Sequence, residues 1–226
     1  MQVSEFFYSL QGEGFLAGVP SVFVRLAGCP LRCKWCDTKY AWDQTAGMHY
    51  SIEKIVQTVQ QTQSKFVVIT GGEPMINIDL PQLAKSLKAP GKHITIETAG
   101  IAFIPDLACD LMSISPKLSN SIPAEPELAA IHEDSRLDTA VLRELIDNYK
   151  YQLKFVVDSR ADLLEIQQTI EEIGNIDTDK VILMPQAKTR DELLAKSPMV
   201  AEMCKHTGFA FSPRLQVLLW GNERAV

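Results

Sequence analysis

The sequence has no apolar run that approaches the roughly 20 residues needed to cross a bilayer. Residues 1–5 lack the basic start and apolar core of a signal peptide, so we expect a cytoplasmic protein without a membrane partner. No run of lysine or arginine occurs and the net charge is −6, which argues against a nucleic-acid partner. No repeat, low-complexity tract or long linker divides the chain, and we expect one domain over residues 1–226.

Cysteine is scarce, yet three of the five cysteines fall within eight positions as Cys29, Cys33 and Cys36. In a reducing compartment, such a cluster indicates a metal site or catalysis more than disulfides. The four histidines form no group with metal-ligand spacing. Cys109 and Cys204 stand alone, and we expect them to be buried as small apolar residues.

Apolar β-rich segments alternate with amphipathic ones, which predicts βα units and a mostly parallel sheet. Strands are predicted over residues 22–26, 66–69, 94–97, 111–115, 153–157, 181–184 and 209–212. Helices are predicted over residues 52–63, 80–87, 137–149, 161–173 and 191–206. Because eight strands are needed to close a barrel, we expect a partial, open α/β barrel of the (β/α)6 type. Residues 120–134, rich in Pro, Ala and Glu, are predicted to be a surface excursion.

Polar and glycine-rich residues gather just after the predicted strands, at residues 70–74, 97–100, 115–117 and 185–186. The carboxyl ends of parallel strands meet at one edge of a sheet, and binding sites in α/β folds are built there. We therefore expect the functional site at this edge.

The three clustered cysteines follow the first predicted strand with the spacing C-x3-C-x2-C. Three thiolates can hold a [4Fe–4S] cluster and leave its fourth iron open to a small molecule. Two alternatives stay open from the residues alone. One is a structural zinc site that adds His49, and the other is a redox pair of Cys33 and Cys36, which leaves Cys29 unexplained.

The cysteine spacing resembles that of the radical SAM superfamily, in which the open iron binds the amino and carboxylate groups of S-adenosylmethionine (SAM). The segment Thr70-Gly-Gly-Glu-Pro resembles the second motif of that superfamily. Its two glycines let the backbone approach a ligand closely. On its own this segment would also suit an ordinary turn, but it follows the cysteines by one βα unit.

Further short segments, spread over essentially the whole chain, resemble the 7-carboxy-7-deazaguanine synthase family. They are residues 8–14, 18–20, 23–29, 36–38, 96–98, 113–117 and 220–222. The resemblance implies a carbon–nitrogen lyase that converts 6-carboxy-5,6,7,8-tetrahydropterin to 7-carboxy-7-deazaguanine, in the biosynthesis of queuosine and related deazapurines. A 5′-deoxyadenosyl radical would take a hydrogen from the substrate, whose ring contracts with loss of ammonia.

The resemblance also implies a [4Fe–4S] cluster, SAM and Mg²⁺ as cofactors, a flavodoxin- or ferredoxin-type electron donor and a homodimer. The cluster ligands would be Cys29, Cys33 and Cys36, and Thr38 would bind Mg²⁺ together with water and substrate oxygens. Cofactor contacts are predicted at Trp35, Cys36, Asp37, Gly72, Glu73, Glu97, Ser115, Pro116, Lys117, Pro185 and Gln186. Substrate contacts are predicted at Leu10, Gln11, Gly12, Glu13, Arg25 and Thr70. No catalytic residue beyond the cluster and SAM is expected.

Several of these residues keep a structural alternative. The planar fork of Arg25 suits the substrate carboxylate, but it also suits a salt bridge. Glu13 can be a solvated loop carboxylate, Thr38 a cap, and Glu97 a partner in a hydrogen bond inside the barrel instead of a ribose ligand. Lys154 faces either the interior or an exposed edge.

Two other functions are considered. A different radical SAM enzyme, such as a glycyl-radical activase, would share the cysteines but act on a protein. A non-catalytic zinc or Fe–S binding module would not bind SAM. Residues 10–14 and Arg25 favour a small carboxylated heterocycle over a protein substrate.

Overall fold

The computed structural model describes residues 1–221, 223 and 224. Its strands are β1 (Gln2–Leu10), β2 (Pro20–Leu26), β3 (Met48–His49), β4 (Phe66–Gly71), β5 (His93–Thr98), β6 (Leu111–Ile114), β7 (Tyr151–Val157), β8 (Val181–Pro185) and β9 (Ala210–Phe211). Its helices are α1 (Ile52–Gln60), α2 (Leu80–Lys88), α3 (Pro126–Ser135), α4 (Thr139–Asn148), α5 (Asp162–Ile173), α6 (Arg190–Thr207) and α7 (Leu215–Trp220). None of these helices is long and apolar enough to cross a membrane.

All strands of the described residues join one sheet in the order β3-β1-β2-β4-β5-β6-β7-β8-β9. From β2 to β9 every neighbouring pair is parallel, whereas β1 runs antiparallel to both β2 and β3. The sheet does not close, because β3 and β9 form its two edges. The predicted open α/β barrel with mostly parallel strands is confirmed, with seven strands in its parallel part.

The central strands are buried on both faces because helices cover one face and the barrel interior lies on the other. Every residue of β7 and β8 is buried, and α5 packs against β7 and α6 against β8. Helix ends are fixed locally: a capping box of Thr189 and Glu192 begins α6, and Gly208 ends it in the left-handed conformation at φ 79°. The rigid sheet brings the carboxyl ends of its parallel strands to one edge.

The sequence did not predict β1, and the burial of its residues explains why. Val3 is the only fully buried residue of the strand, so the alternation of apolar and polar residues that marks a half-buried strand is missing. Glu5, Phe7 and Ser9 instead line the cavity described below. The two-residue strand β3 and the short helix α7 were also not predicted, since neither is long enough to show a periodicity.

Residues 120–134 were predicted to be a surface excursion, and this prediction is wrong for the residues of the segment that are buried against the rest of the protein. The segment contains most of α3, and Ser121 and His132 within it are completely buried. The helix buries a histidine in place of an apolar residue, so its sequence shows little amphipathicity. The burial expected for the isolated cysteines is confirmed for Cys204, while Cys109 is partly buried against the main core.

A core substitution tests the packing of the sheet. Phe155, in the centre of β7, is fully buried, so Phe155→Ala is expected to lower the free energy of unfolding by about 3–5 kcal/mol. Leu164→Ala is the control, because that side chain of α5 is 64% exposed and its loss is expected to change stability by no more than about 0.5 kcal/mol. Urea unfolding followed by circular dichroism measures both values, and equal effects would contradict the described core.

Candidate active site

A cavity of about 300 Å³ opens at the carboxyl edge of the parallel strands. Its walls are built from the strand ends, the loops that follow them and a segment near the C-terminus. Most of the predicted site residues line it together: Leu10, Gln11, Gly12, Glu13, Arg25, Cys29, Cys33, Trp35, Cys36, Asp37, Thr38, Thr70, Gly72, Glu97, Ser115, Lys117 and Gln186. Glu73, Pro116 and Pro185 are not among the lining residues.

The three clustered cysteines lie in an apolar part of this cavity. The loop that carries them leaves β2 at Gly28, whose φ of 97° favours glycine. Leu31, Ala99 and Ile101 pack around the cysteines. Burial raises the pKa of the Cys29 thiol to about 12 and that of Cys33 to about 11. Because cysteine binds metals as the thiolate, cluster assembly must release these protons.

The glycines after β4 allow the second motif to press against the cysteine loop. A Cβ on Gly72 would lie 2.3 Å from the carbonyl oxygen of Gly28 and 2.7 Å from the Cβ of Cys29. The N–H of Glu73 donates to the same Gly28 carbonyl at 2.8 Å. Position 72 therefore requires glycine for contact between the two motifs, in addition to any approach to a ligand.

The Glu73 side chain lies beneath the cavity wall. Its carboxylate accepts hydrogen bonds from the N–H of Met75 (3.0 Å), the hydroxyl of Thr98 (2.8 Å) and the N–H of Ala99 (2.7 Å). Burial raises the pKa of Glu73 despite these donors. The side chain ties the loop after β4 to the end of β5, and its predicted contact with the cofactor stays a prediction.

The cysteine site suits an iron–sulfur cluster better than a single zinc ion. Within the described residues, no three His, Cys, Asp or Glu side chains are arranged to hold one metal ion. His49, the fourth ligand of the zinc alternative, lies on β3 next to the N-terminal amino group at 3.3 Å and does not line the cavity. Three thiols facing one cavity match a cluster whose ligands attach to separate irons and whose last iron stays open.

A buried ionic network fills the other end of the cavity. The Glu13 carboxylate accepts hydrogen bonds from Lys154 Nζ (2.5 Å), Arg214 Nε (3.1 Å) and Gln216 Nε2 (2.8 Å). Burial alone would raise the pKa of Glu13, but the charges of Lys154 and Arg214 hold it far below its usual value. The alternative of a solvated Glu13 is therefore wrong, and Lys154 faces the interior.

The Glu97 carboxylate lies beside two residues predicted to contact the substrate. Gln11 Nε2 donates to one of its oxygens at 3.0 Å, and the Thr70 hydroxyl donates to the other at 3.0 Å. Glu97 thus makes the hydrogen bonds inside the barrel that were considered as its alternative. Its predicted contact with the SAM ribose stays a prediction.

Arg25 and Thr38 lie at the cavity wall between the two ends. Arg25 Nε donates to Glu5 at 3.1 Å, and the hydroxyl of Tyr40 donates to the same carboxylate at 2.7 Å. Among the described residues, the two Nη groups of Arg25 have no hydrogen-bond partner. The Thr38 hydroxyl makes no capping bond and lies 3.5 Å from Cys36 Sγ, so the capping alternative is wrong.

Sequence reasoning missed Arg214, which joins three parts of the site. Its guanidinium donates to Glu13, to the side chain of Asp37 and to the backbone carbonyl of Ala187. The only local signal is a lone arginine just before the apolar helix α7, and its partners Glu13 and Asp37 are far away in sequence.

Trp220 at the end of α7 does not line the cavity, and Asn222, the last residue of the predicted closing motif, lies outside the described residues.

The network around Glu13 is expected to make stability depend on pH. Its folded pKa lies below the ordinary value of 4.5, so its contribution is present above that pH and is lost as the pH falls. Glu13→Gln leaves the buried Lys154 without its anion and removes one of the two carboxylates that pair with Arg214, which should cost about 3–5 kcal/mol at neutral pH.

The slope of unfolding free energy against pH, measured between about pH 6 and 3, is expected to be shallower in Glu13→Gln than in the natural protein. Glu202→Gln, an exposed carboxylate paired with Lys205, is the control and should leave the slope unchanged. Parallel curves for the natural protein and Glu13→Gln would contradict this account of the network.

Comparisons with known proteins agree with this geometry. The sequence model of the radical SAM superfamily matches residues 24–120. The 7-carboxy-7-deazaguanine synthases of Rhodopirellula baltica and Halobacterium salinarum are each 42% identical to this chain, over 98% of its length and 87% and 91% of theirs. The crystal structure of QueE from Escherichia coli superimposes with a TM-score of 0.70 at 25% identity, over 93% of this chain and 92% of that one. This chain therefore belongs to the 7-carboxy-7-deazaguanine synthase family of the radical SAM superfamily.

Proposed function

We propose that this protein converts 6-carboxy-5,6,7,8-tetrahydropterin to 7-carboxy-7-deazaguanine and ammonia, as a carbon–nitrogen lyase of deazapurine biosynthesis. The observation that carries the proposal is a single cavity with two chemically different ends. One end is apolar and holds three thiols, and the other holds a buried set of charged and hydrogen-bonding groups. Near-full-length similarity to enzymes of this name supports the assignment.

The apolar end holds the radical-generating cofactors. Cys29, Cys33 and Cys36 are the ligands of the [4Fe–4S] cluster. When bound and reduced, the cluster supplies the electron that splits SAM into methionine and a 5′-deoxyadenosyl radical, which takes a hydrogen atom from the substrate. Trp35, Asp37, Gly72, Ser115, Lys117 and Gln186 line the same cavity and are the proposed SAM contacts. The apolar packing around the cysteines excludes water from a reactive radical.

The polar end suits the pterin ring. A pterin presents an amino group and a ring N–H side by side, and a carboxylate can accept from both. Glu97 provides such a carboxylate, held in place by Gln11 and Thr70. We therefore assign Glu97 to the pterin edge along with Gln11 and Thr70, in place of the contact with the SAM ribose that was predicted from the sequence. The backbone of residues 10–13 and the Glu13 side chain complete this wall.

Arg25 is assigned to the substrate carboxylate. Glu5 fixes the guanidinium through Nε, which leaves the two Nη groups for a bidentate contact with a carboxylate. Thr38 is the proposed Mg²⁺ ligand, with water and substrate oxygens as the other ligands. Both side chains line the cavity.

The buried network at the polar end disfavours an activase that acts on a protein. Glu13, Lys154 and Glu97 lie inside the barrel, where they can surround a small molecule but leave little room for a folded protein segment.

The cytoplasmic location, the flavodoxin- or ferredoxin-type donor, the homodimer and the single domain over residues 1–226 stay predictions.

Anaerobic turnover tests the function. The protein is reconstituted with iron and sulfide, reduced, and supplied with SAM, Mg²⁺ and 6-carboxytetrahydropterin, and mass spectrometry follows 7-carboxy-7-deazaguanine. Product that requires SAM and is absent in Cys33→Ala is the expected result, because two thiolates cannot hold the cluster in place of three. Cleavage of SAM without deazapurine product would show that the substrate assignment is wrong, although it would still agree with radical SAM chemistry.

Arg25→Gln tests the carboxylate contact. Glutamine keeps an N–H donor for Glu5 but lacks the charge and the fork, so kcat/KM for the pterin is expected to fall about 100-fold. Iron content and the slow cleavage of SAM without substrate should be unchanged. Arg143→Ala, which removes an arginine that contacts the end of α5, is the control and should keep full activity. Unchanged kcat/KM in Arg25→Gln would remove Arg25 from the substrate site.

Thr38→Ala and Thr38→Ser test the magnesium ligand. Loss of the hydroxyl is expected to raise the Mg²⁺ concentration for half-maximal activity about tenfold, and serine should restore it. Titration of activity with Mg²⁺ at saturating substrate measures the change. If alanine and serine behave alike, the hydroxyl does not contact the metal.

A further inference from the structure

The outer side of the cysteine loop is covered by residues 119–135, which we call the loop clamp. The clamp consists of a short turn over residues 119–121 and helix α3. Three N–H donors of the cysteine loop bond to acceptors in the clamp: Arg32 N to His132 Nδ1 (3.1 Å), Lys34 N to Ser121 O (2.8 Å) and Trp35 Nε1 to Asn120 O and Oδ1 (both 3.1 Å). These donors lie on both sides of Cys33 and directly before Cys36, so the clamp holds the part of the loop that carries two of the three ligands.

The hydrogen bonds around His132 define its protonation. Nδ1 accepts from the Arg32 N–H and so carries no proton. The hydroxyl of Ser121 donates to the carbonyl of Leu118 at 2.6 Å, so at its other contact it accepts from His132 Nε2 at 2.8 Å. His132 is thus a neutral ring with its proton on Nε2. Complete burial favours this neutral form.

The clamp is itself fixed to the barrel. The Asn120 amide donates to the backbone carbonyl of Val156 and to Asp162, both at 2.9 Å. Arg136, directly after α3, donates to the carbonyl of Lys117 at 2.7 Å and to Glu165 at 3.0 Å. The acceptors that hold the cysteine loop are therefore anchored to β7, to α5 and to the loop after β6.

We propose that the loop clamp preorganises the cysteine loop for the [4Fe–4S] cluster and slows the loss of iron, with His132 as a positioning residue. A loop that is free in the absence of metal must lose about 1–2 kcal/mol of backbone entropy per residue when it binds. A cluster with three protein ligands has one attachment fewer than usual to compensate for that cost. The inference rests on the proposed function only for the cluster ligands, not for the pterin substrate.

Iron release tests the proposal. Proteins reconstituted anaerobically are mixed with an iron chelator, and the release rate is followed by absorbance in the absence of substrate. His132→Phe keeps a flat ring but leaves the Arg32 N–H without an acceptor. Its iron release is expected to be about 10–100-fold faster than that of the natural protein, as for other residues that orient metal ligands.

His132→Asn provides the matched rescue, because its Oδ1 can take the place of Nδ1 as the acceptor for Arg32. Its release rate is expected to lie near that of the natural protein. His93→Phe, which alters a partly buried histidine with no hydrogen bond to the cysteine loop, is the control and should release iron at the natural rate. The electron paramagnetic resonance spectrum of the reduced cluster, with and without SAM, is expected to change in His132→Phe and not in His132→Asn.

Several outcomes would contradict the proposed role of the loop clamp. One is an unchanged release rate in His132→Phe, and another is equally fast release in His132→Asn, which would assign the effect to ring packing. If His132→Phe does not fold, Ser121→Ala takes its place, since it removes the hydroxyl that orients the ring but keeps the carbonyl that binds Lys34 N. Release at the natural rate in that variant would also count against the proposal. If the natural protein releases iron slowly but forms no deazapurine product, the proposed substrate is wrong while the proposal for the loop clamp is unaffected.

Discussion

The carboxylate of Glu13, held between the cations of Lys154 and Arg214, joins segments that are distant in the chain. The N-terminal loop provides the anion, β7 provides one cation and the C-terminal segment provides the other. Arg214 extends the link to Asp37 on the cysteine loop. Buried charges are costly unless each is paired and hydrogen-bonded, so these four segments must come together for any of them to be stable. The shape of the cavity depends on this requirement.

The order of the parallel strands brings the groups of the site together at one edge of the sheet. Neighbouring strands β2, β4, β5 and β6 deliver the cysteine loop, the glycine motif, Glu97 and Ser115 in order along one edge. The antiparallel strand β1 then adds Glu5 and the loop after it adds residues 10–13, which extend the wall beyond the parallel part. Radical chemistry needs a dry environment and pterin recognition needs polar groups, and the fold supplies both within one cavity.

The parts of the site that the sequence predicts are those with local signals. The cysteine spacing, the glycine motif and the polar residues after each strand are short patterns, and the structure places nearly all of them on one cavity. Arg214 and Gln216 were not predicted as site residues because their partner, Glu13, is some two hundred residues away and no periodicity links them. The role of His132 was not predicted for a different reason. A buried neutral histidine is specified by hydrogen bonds to backbone groups, which leave no trace in the sequence.

The same distinction applies to the fold. Strands that consist mostly of buried apolar residues are recognised from the sequence. Strand β1 carries the polar cavity-lining residues Glu5 and Ser9 on one side, so its sequence lacks the pattern by which a strand is recognised. Glu73 shows that a correct motif does not fix the role of each residue. Its carboxylate accepts three hydrogen bonds within the protein, so the conformation of the loop after β4 depends on it whether or not a cofactor is bound.

One edge of the sheet is only partly covered. Strand β3 pairs with Gln2 and Val3 alone, so among the described residues the part of β1 from Glu5 to Leu10 has no strand partner on its outer side. An uncovered strand edge offers its N–H and C=O groups to a strand from another molecule. Because Glu5, Phe7 and Ser9 of the same strand line the cavity, any partner that paired with this edge would lie directly behind one wall of the site.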